Sequence, residues 1–221
     1  MSASPTRGRF ITFEGGEGAG KTTQIGHLAR RLALRGAAVV STREPGGTPH
    51  AEKLRSLLLS GAAAPLGPLG EAILFTAARI DHIDTLIEPS LARGDFVLCD
   101  RFMDSTRAYQ GALGKVDARM IALLERAAVG AGRPDLTFVL DVPPAQGLAR
   151  AAKRRGSGAV DRFESEDAGF HVGLREAFLA IAAAEPSRCV VIDATGAPEE
   201  IGETIWRVAA ERFFPGEAER T

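Results

Sequence analysis

The stretch "FEGGEGAGKTT" (residues 13–23) lies between a short apolar run and a helical pattern, and it is the most specific pattern in the chain. Gly15 to Thr22 match G-x-x-x-x-G-K-[ST], a loop whose backbone N–H groups surround phosphate oxygens. A strand before the motif and a helix after it are the context that the motif requires. The stretch therefore predicts a nucleoside triphosphate site at the end of a strand.

The side chains of this loop have separate expected roles. Lys21 is expected to reach the β and γ phosphates, and the Thr22 hydroxyl is expected to bind Mg²⁺. The predicted ATP-binding residues of the loop are Gly15, Gly16, Gly18, Ala19, Gly20, Lys21, Thr22 and Thr23. Glu17 is unusual here, because a carboxylate is a poor neighbour for a phosphate and no basic residue precedes Lys21 in the loop. Another part of the chain must therefore supply positive charge.

Short apolar runs alternate with longer helical patterns along the chain. Runs rich in Val, Ile, Leu or Phe predict buried strands at 9–14, 37–42, 96–100, 136–142 and 189–193. Helices are predicted at 21–35, 49–60, 68–93, 104–130, 144–155, 167–184 and 198–213, and Pro89 is expected to end or kink the third of them. This alternation predicts an α/β fold, with a single doubly wound five-stranded parallel sheet and helices on both faces.

The predicted organisation is one domain with short tails. We expect a flexible N-terminal tail at 1–8, a nucleotide-binding domain at 9–214 and a C-terminal tail at 215–221. The stretch "KRRGSGAVDRFE" (153–164) departs from the alternation, because it is basic, then rich in Gly and Ser, then charged. It predicts an exposed flap at about 150–164.

Composition excludes several classes of protein. A chain of 221 residues that is 45% hydrophobic can bury one sizeable core. Its 27 Lys and Arg residues are balanced by 28 Asp and Glu, so we expect no nucleic acid partner. No apolar run reaches the roughly 18 residues of a membrane span, so we expect no membrane association and a cytoplasmic location. Cys99 and Cys189 lie in apolar runs and are expected to be buried thiols.

A triphosphate site alone leaves several functions open. A GTPase would need an N-K-x-D guanine reader, but the chain has no Asn and offers only "GKVD" at 114–117. A switch or partitioning ATPase would favour a strand that ends in Asp-Glu, with an acid to polarise water. Here the third strand ends "CDRF" (99–102), and Arg101 at that point suits a second anionic substrate. A phosphotransferase with an anionic acceptor is therefore favoured, and the switch ATPase remains the alternative from another class.

Five stretches together resemble thymidylate kinases, which are P-loop nucleoside monophosphate kinases. They are "FEGGEGAGKTT" (13–23), "TREPGGT" (42–48), "LFTAARIDH" (74–82), "DRFMDSTRAYQG" (100–111) and "RPDLTFVLDV" (133–142), and they occur in the family's order over nearly the whole chain. The resemblance implies a P-loop kinase type of fold and transfer of the γ-phosphoryl group of ATP to dTMP. It also implies a homodimer, with helices 49–60 and 68–93 as the candidate interface. A kinase for another nucleotide or nucleoside remains the alternative within the same class.

The resemblance assigns an acceptor site. Arg43 would clamp the dTMP phosphate together with Arg101, and the Glu-Pro bond before Pro45 is expected to be cis. Phe75 would stack on thymine, and Arg79, on the same face of the helix, would donate to a thymine carbonyl. The full set implied for dTMP is Glu17, Arg43, Pro45, Phe75, Arg79, Arg101, Ser105, Tyr109 and Gln110. In that set Ser105 and Gln110 would read the base, and Tyr109 would favour the deoxy sugar.

Taken singly, these residues also have simpler interpretations. Phe75 and Tyr109 could pack in the core, and Arg43 and Arg79 could be solvated surface charges. His82 is expected to be a structural hydrogen-bonding histidine. The functional interpretation is favoured for the set.

The resemblance also explains the acid in the loop and its missing charge. Glu17 would accept a hydrogen bond from the 3′-hydroxyl of dTMP, so that one loop contacts both substrates. The positive charge would come from flap arginines: Arg154 as the catalytic residue, with Arg150 and Arg155 on ATP. Asp100 would join Thr22 in binding Mg²⁺. The predicted catalytic residues are Lys21, Arg101, Arg154 and Glu17.

Overall fold

The computed structural model describes residues 7–130, 132–155 and 162–215. In these residues five strands form one parallel sheet in the order β2-β3-β1-β4-β5. Their bounds are β1 Arg9–Glu14, β2 Val39–Arg43, β3 Phe96–Asp100, β4 Leu136–Asp141 and β5 Cys189–Asp193. The predicted fold is confirmed; the strand predicted at 37–42 begins and ends later, and the strand predicted at 136–142 ends one residue earlier.

Nine helices and two π-helical turns connect and cover the strands in the described residues. The helices are α1 Lys21–Leu34, α2 Pro49–Leu59, α3 Gly67–His82, α4 Glu88–Ala92, α5 Met103–Thr106, α6 Ala118–Val129, α7 Pro144–Arg155, α8 Ala168–Ala184 and α9 Pro198–Phe213. The π-helical turns are Ile83–Ile87 and Arg107–Leu113, and a short 3₁₀ turn, Ala64–Leu66, precedes α3.

Alternate strand residues pack on opposite faces of the sheet, which is why the strands are apolar on both sides. On one face Ile11 and Phe138 pack against Leu28 of α1 and Ile205 of α9. On the other face Phe10 and Val97 pack against Ile87 and Leu91, near α4. The central strands β1, β3 and β4 are therefore buried between two helical layers, and their carboxyl ends meet at one edge of the sheet.

Two predicted helices are wrong in detail. The helix predicted at 68–93 contains a π-helical turn, Ile83–Ile87, just before Pro89. Pro89 has no N–H and its ring crowds the carbonyl four residues earlier, so the wider turn accommodates it and the helical path continues. The helix predicted at 104–130 is divided, because Asp117 caps a new helix, α6, by accepting from the N–H groups of Arg119 and Met120.

The described part of the N-terminal tail contacts the domain. Gly8 N–H donates to the carbonyl of Leu91 at 2.8 Å, and Arg7 forms an ion pair with Glu88. The remaining residues of the two expected tails, 1–6 and 216–221, lie outside the described residues.

Within the described residues, no single helix has both the length and the apolar character needed to cross a membrane. The segments Pro49–Leu59 and Ala64–Ala92 meet those criteria only as a pair, and the break between them is bent by 82°.

Candidate active site

A cavity of about 530 Å³ opens at the carboxyl edge of the sheet, where the loops after β1, β2 and β3 meet. Parallel pairing places Asp100 beside Phe13 on one side and beside Arg43 on the other, so the three loops converge there. Predicted residues that line it are Glu17, Gly18, Ala19, Gly20, Lys21, Thr22, Thr23, Arg43, Pro45, Phe75, Arg79, Asp100, Arg101, Ser105, Tyr109, Gln110 and Arg154. Sequence-distant segments thus contribute side chains to one cavity.

The phosphate loop wraps around the Lys21 ammonium group. Its Nζ donates to the carbonyls of Gly15 and Gly16 at 3.2 and 2.9 Å, and the side chain is buried. Burial lowers the pKa of Lys21, and the nearby charge of Arg101 acts in the same direction. These carbonyls hold the ammonium group below the loop, where it can be drawn toward phosphate oxygens.

The flap-bearing helix α7 packs directly on the phosphate loop. Gly18 has φ of +65°, and a Cβ there would lie 1.9 Å from the carbonyl oxygen of Gly147 in α7. A Cβ on Gly147 would in turn lie 2.3 Å from the carbonyl oxygen of Glu17. Only glycine fits this backbone-to-backbone contact, which fixes the position of α7 relative to the loop.

Thr22 and Asp100 form the polar pair expected to bind a metal. The Thr22 hydroxyl donates to Asp100 Oδ2 at 2.8 Å, next to Lys21 at the start of α1. A hydroxyl and a carboxylate oxygen are hard ligands of the kind that Mg²⁺ takes, together with phosphate oxygens and water. The two residues therefore fit the ion.

Arg101 supplies the positive charge that faces Glu17. Its guanidinium donates to Glu17 Oε1, to the carbonyl of Gly15 at 3.1 Å and to Ser105 Oγ at 3.3 Å. Burial by itself would raise the pKa of Glu17, but the charges of Arg101 and Lys21 outweigh it and lower that pKa to about 2. The acid in the loop is therefore a charged partner of an arginine from another loop, a pairing that the sequence did not reveal.

Tyr109 contacts the same carboxylate. Burial raises the pKa of Tyr109, so its hydroxyl remains protonated and donates to Glu17 Oε1 at 3.2 Å. The Arg101 guanidinium lies 5.3 Å from the centre of the tyrosine ring, and the ring of Phe163 packs edge-on at 5.1 Å. Tyr109 thus both lines the cavity and packs against core residues.

Glu14, the last residue of β1, holds the turn that carries Arg101. Its carboxylate accepts from the N–H of Phe102 at 2.8 Å and from the Ser105 hydroxyl at 2.7 Å. Burial raises the pKa of Glu14 to about 7, and the charge of Asp104 adds to the effect. Arg101 itself has φ of +68°, so the turn depends on these bonds. The Ser105 hydroxyl is committed to Glu14 here, which limits its predicted role as a base reader.

The turn after β2 is organised around Glu44. The Glu44–Pro45 peptide is cis, as predicted. Glu44 Oε2 accepts from Arg79 Nε at 2.7 Å, and its Oε1 lies 3.0 Å from His82 Nδ1. His82 Nε2 also bonds the Thr42 hydroxyl at 2.7 Å, which confirms the structural role predicted for this histidine.

The predicted base-side residues lie around the far part of the cavity. Arg79 uses a second nitrogen to donate to the Phe102 carbonyl and the Thr106 hydroxyl, both at 3.1 Å, so base reading would depend on its other terminal nitrogen. Phe75 is half-buried, and Gln110 is buried. Arg43 is exposed and pairs with Glu52 at 2.9 Å.

The flap arginines have different surroundings. Arg154 lines the cavity, with its side chain 65% exposed and 4.0 Å from Glu164. Arg155 pairs with Glu164, and Arg150 donates to the carbonyls of Ala194 and Thr195 at 2.7 and 3.0 Å. Arg150 and Arg155 lie outside the cavity wall, so their proposed contact with ATP stays a prediction. Flap residues 156–161 lie outside the described residues.

Further cavity residues were not identified from the sequence: Glu44, Arg55, Leu59, Phe102, Thr106, Phe163 and Glu164. Glu44 lies within "TREPGGT", and residues 163–164 lie within "KRRGSGAVDRFE". Their position in these quoted stretches could have indicated that they line the cavity. Arg55 and Leu59 are four residues apart on one face of α2, and nothing in the sequence shows that this face meets the cavity.

Comparisons with known proteins agree with this geometry. The thymidylate kinase family model matches residues 13–205. The chain is 56% identical over 214 residues to a thymidylate kinase of Bradyrhizobium sp. (strain ORS 278), covering 97% of this chain and 95% of that protein. It is 58% identical over 209 residues to a thymidylate kinase of Rhodopseudomonas palustris (strain CGA009), covering 94% of this chain and 91% of that protein.

A solved structure gives the same result. The crystal structure of a thymidylate kinase from Ehrlichia chaffeensis superimposes with a TM-score of 0.75 at 34% identity, over 92% of this chain and 99% of that one. Four of the five predicted stretches line one cavity, and the fifth contains β4. Sequence and fold therefore agree, and the chain belongs to the thymidylate kinase family.

Proposed function

We propose that the 530 Å³ cavity is where this chain aligns ATP and dTMP for direct phosphoryl transfer. Thymidylate kinases phosphorylate dTMP to dTDP with ATP, and this member of the family has that activity. The observation that carries the site assignment is the meeting of the phosphate loop with Arg43, Phe75 and Gln110 around one cavity. A triphosphate site and a site for a second anionic nucleotide thus share one enclosure.

The residues divide between donor and acceptor. Lys21 and the loop backbone hold the ATP phosphates. Arg101 and Arg43 bind the acceptor phosphate of dTMP at the end of its site nearest the loop. Glu17 lies between the two sites and accepts a hydrogen bond from the 3′-hydroxyl of dTMP. Its low pKa keeps it a charged acceptor at every working pH. Because one loop contacts both substrates, the transferring group is aligned for in-line displacement.

Thr22 and Asp100 would hold Mg²⁺, which supplies charge neutralisation on the phosphates when it is bound. The acceptor phosphate is already an anion, so no protein base has to remove a proton from it. Positioning and charge stabilisation by Lys21, Arg101 and Arg154 carry the catalysis instead.

Acceptor selectivity tests this assignment. We expect dTMP to be the preferred acceptor, with dUMP several-fold weaker, since one buried methyl group contributes only about 0.8 kcal/mol. Purine monophosphates should be poor acceptors, because Phe75 and Gln110 are assigned to stacking on and reading a thymine base. ADP production is measured with each monophosphate in turn. Slow ATP hydrolysis that ignores every monophosphate would instead favour a switch ATPase.

We also propose that the enzyme is a homodimer formed through α3. Exposed apolar residues with roughly heptad spacing lie at Leu69, Ile73 and Ile80 of this helix and at Leu66 in the 3₁₀ turn before it. A second copy packing on these residues would remove this surface from water. The two cysteines are buried unpaired thiols, which supports our proposal of a cytoplasmic enzyme.

The dimer is tested by a charge placed on that surface. Ile73, 50% exposed, becomes glutamate, and the molar mass is measured by light scattering after size exclusion. We expect Ile73→Glu to halve the mass of the native protein. Leu34→Glu, at an 87% exposed leucine on α1, is the matched control and should keep the native mass. A native protein that is already monomeric would contradict the proposal.

A further inference from the structure

The rear of the phosphate loop faces a second, small cavity between the loop, α7 and α8. Gly15, Gly16 and Glu17 form one wall, and Asp141, Pro144 and Leu148 lie at the end of β4 and the start of α7. The opposite wall is α8, through its residues His171, Arg175, Phe178 and Leu179. This cavity is separate from the 530 Å³ cavity, although Glu17 lines both.

Direct backbone packing supports the loop on two sides. A Cβ on Gly15 would lie 2.4 Å from the carbonyl oxygen of Leu140, and Gly147 of α7 touches the carbonyl of Glu17. Toward α8 the small cavity intervenes. Support on that side needs something that fills the gap between the loop backbone and the helix.

His171 is one of the polar residues that line this gap. Its side chain is 4% exposed, and its Nε2 has no hydrogen-bond partner among the described residues. Leaving a buried ring nitrogen unpaired costs free energy, so buried polar atoms of this kind are usually satisfied by protein or ordered water. One helical turn later Arg175, on the same face of α8, binds both oxygens of Asp141 at 2.6 and 2.9 Å.

The cavity has the size and chemistry for one water molecule. The cavity has a volume of about 20 Å³, and one ordered water needs roughly 10–15 Å³. An ordered buried water needs two to four polar partners. The lining residues include His171, Gly15, Gly16 and Asp141, whose carboxylate oxygens retain acceptor capacity beside Arg175.

We propose that His171 is a positioning residue for the phosphate loop, and that its Nε2 supports the Gly15–Gly16 backbone through one ordered water in this cavity. His171 touches neither substrate; it acts through the loop. The loop is then fixed from behind before ATP arrives, so less ordering is left for the binding step. This inference rests on the assignment of the loop to the ATP phosphates.

The first test is a crystal structure of the native, unliganded enzyme at a resolution that shows ordered water. We expect a water within hydrogen-bond distance of His171 Nε2 and of the Gly15 or Gly16 backbone. A dry cavity, or a water that bonds His171 alone, would overturn the proposal. Native dTMP turnover is measured on the same preparation, because its absence would contradict the proposed function rather than this inference.

The second test compares two replacements at the same position. His171→Leu removes the polar atom, and we expect the KM for ATP to rise about three- to tenfold, the loss of one modest hydrogen bond. The kcat and the KM for dTMP should stay within about twofold of native. His171→Gln retains a polar end and should keep the native KM for ATP. Val172→Gln, on the exposed side of α8, is the matched control and should be native throughout.

The outcomes separate positioning from simple packing. If His171→Gln is impaired as much as His171→Leu, or if His171→Leu keeps the native KM for ATP, the positioning role is wrong. His171→Met, a flexible apolar side chain, replaces the leucine variant if that variant does not fold. The KM for ATP of His171→Met is then compared with that of the native enzyme and with that of His171→Gln, and the same outcomes decide whether His171 positions the loop.

Discussion

Arg154→Ala is expected to lower the kcat of dTMP phosphorylation by about a thousandfold or more, while both Michaelis constants change much less. The transferring phosphoryl group spreads negative charge over three oxygens, and an arginine that engages it mainly in the transition state affects kcat rather than binding. Arg154 lines the cavity with its side chain largely exposed, so it can move onto the phosphoryl group. Steady-state kinetics with each substrate varied in turn measure the effect.

The neighbouring arginines provide the controls. Arg155→Ala removes a side chain of the same type from the next position, but Arg155 does not line the cavity and is paired with Glu164. Arg150→Ala removes one that is bonded to the loop after β5. Both variants should keep kcat within about tenfold of native. Near-native turnover of Arg154→Ala, with a large loss in Arg155→Ala, would assign the catalytic role to Arg155. Arg154→Lys should restore little, since a point charge cannot span two phosphoryl oxygens.

Arg101→Met is expected to affect activity and stability together. Loss of a charged hydrogen bond to the acceptor phosphate costs roughly 1.5–3 kcal/mol, so kcat/KM for dTMP should fall by about ten- to a hundredfold. Removing one partner of a largely buried ion pair leaves Glu17 without Arg101, at a cost of roughly 3 kcal/mol. For a domain of this size that corresponds to a fall in Tm of about 6–12 °C, measured by calorimetry.

A double variant separates the two effects. Glu17→Gln in the Arg101→Met background removes the unpaired charge, so at least half of the lost Tm should return while dTMP activity stays low. If the fall in Tm of the double variant equals the sum of the falls in Arg101→Met and Glu17→Gln, the two residues are not coupled, and our account of the loop is wrong.

The pH dependence of stability provides an independent check on Glu17. Its folded-state pKa is depressed to about 2 from an ordinary value of 4.5, so the ion pair contributes stability above the ordinary value. That contribution is lost as the pH falls from 4.5 toward 2. The difference in Tm between the native enzyme and Arg101→Met should therefore shrink as the pH falls below about 4.5. Arg101 also lowers the pKa of Glu14, which is about 7, so any change between pH 6 and pH 8 is assigned to Glu14 and not to Glu17.

Local patterns were sufficient where the chemistry is local. The phosphate loop, the parallel strands and the fold class follow from "FEGGEGAGKTT" and from apolar runs, because a loop that binds phosphate and a strand buried on both faces each restrict composition over a few residues. The division of the helix predicted at 104–130 was missed, although Gly114 and Asp117 are ordinary turn and capping residues. In the structure Asp117 of "GKVD" caps α6.

The family resemblance predicted a set of residues that the structure places around one cavity, but it did not predict how they are held. Glu44 bonds Arg79 and His82, and Glu14 holds the turn that carries Arg101. The residues in these contacts lie 35 to 88 positions apart in sequence, so spacing along the chain gives no sign of them. The positions of Arg55 and Leu59 in the cavity wall could not be predicted for the same reason.

By itself the sequence determined the phosphate loop, the α/β fold and the residue types of the acceptor site, since each is written in a short stretch. The tertiary structure alone decided that Glu17 is paired with Arg101 and bonded by Tyr109, and that of the three flap arginines predicted to act on ATP only Arg154 lines the cavity. The physical reason is that charge pairing and burial depend on distances of a few ångströms between side chains, and those distances are set only when separate loops meet at one edge of the sheet.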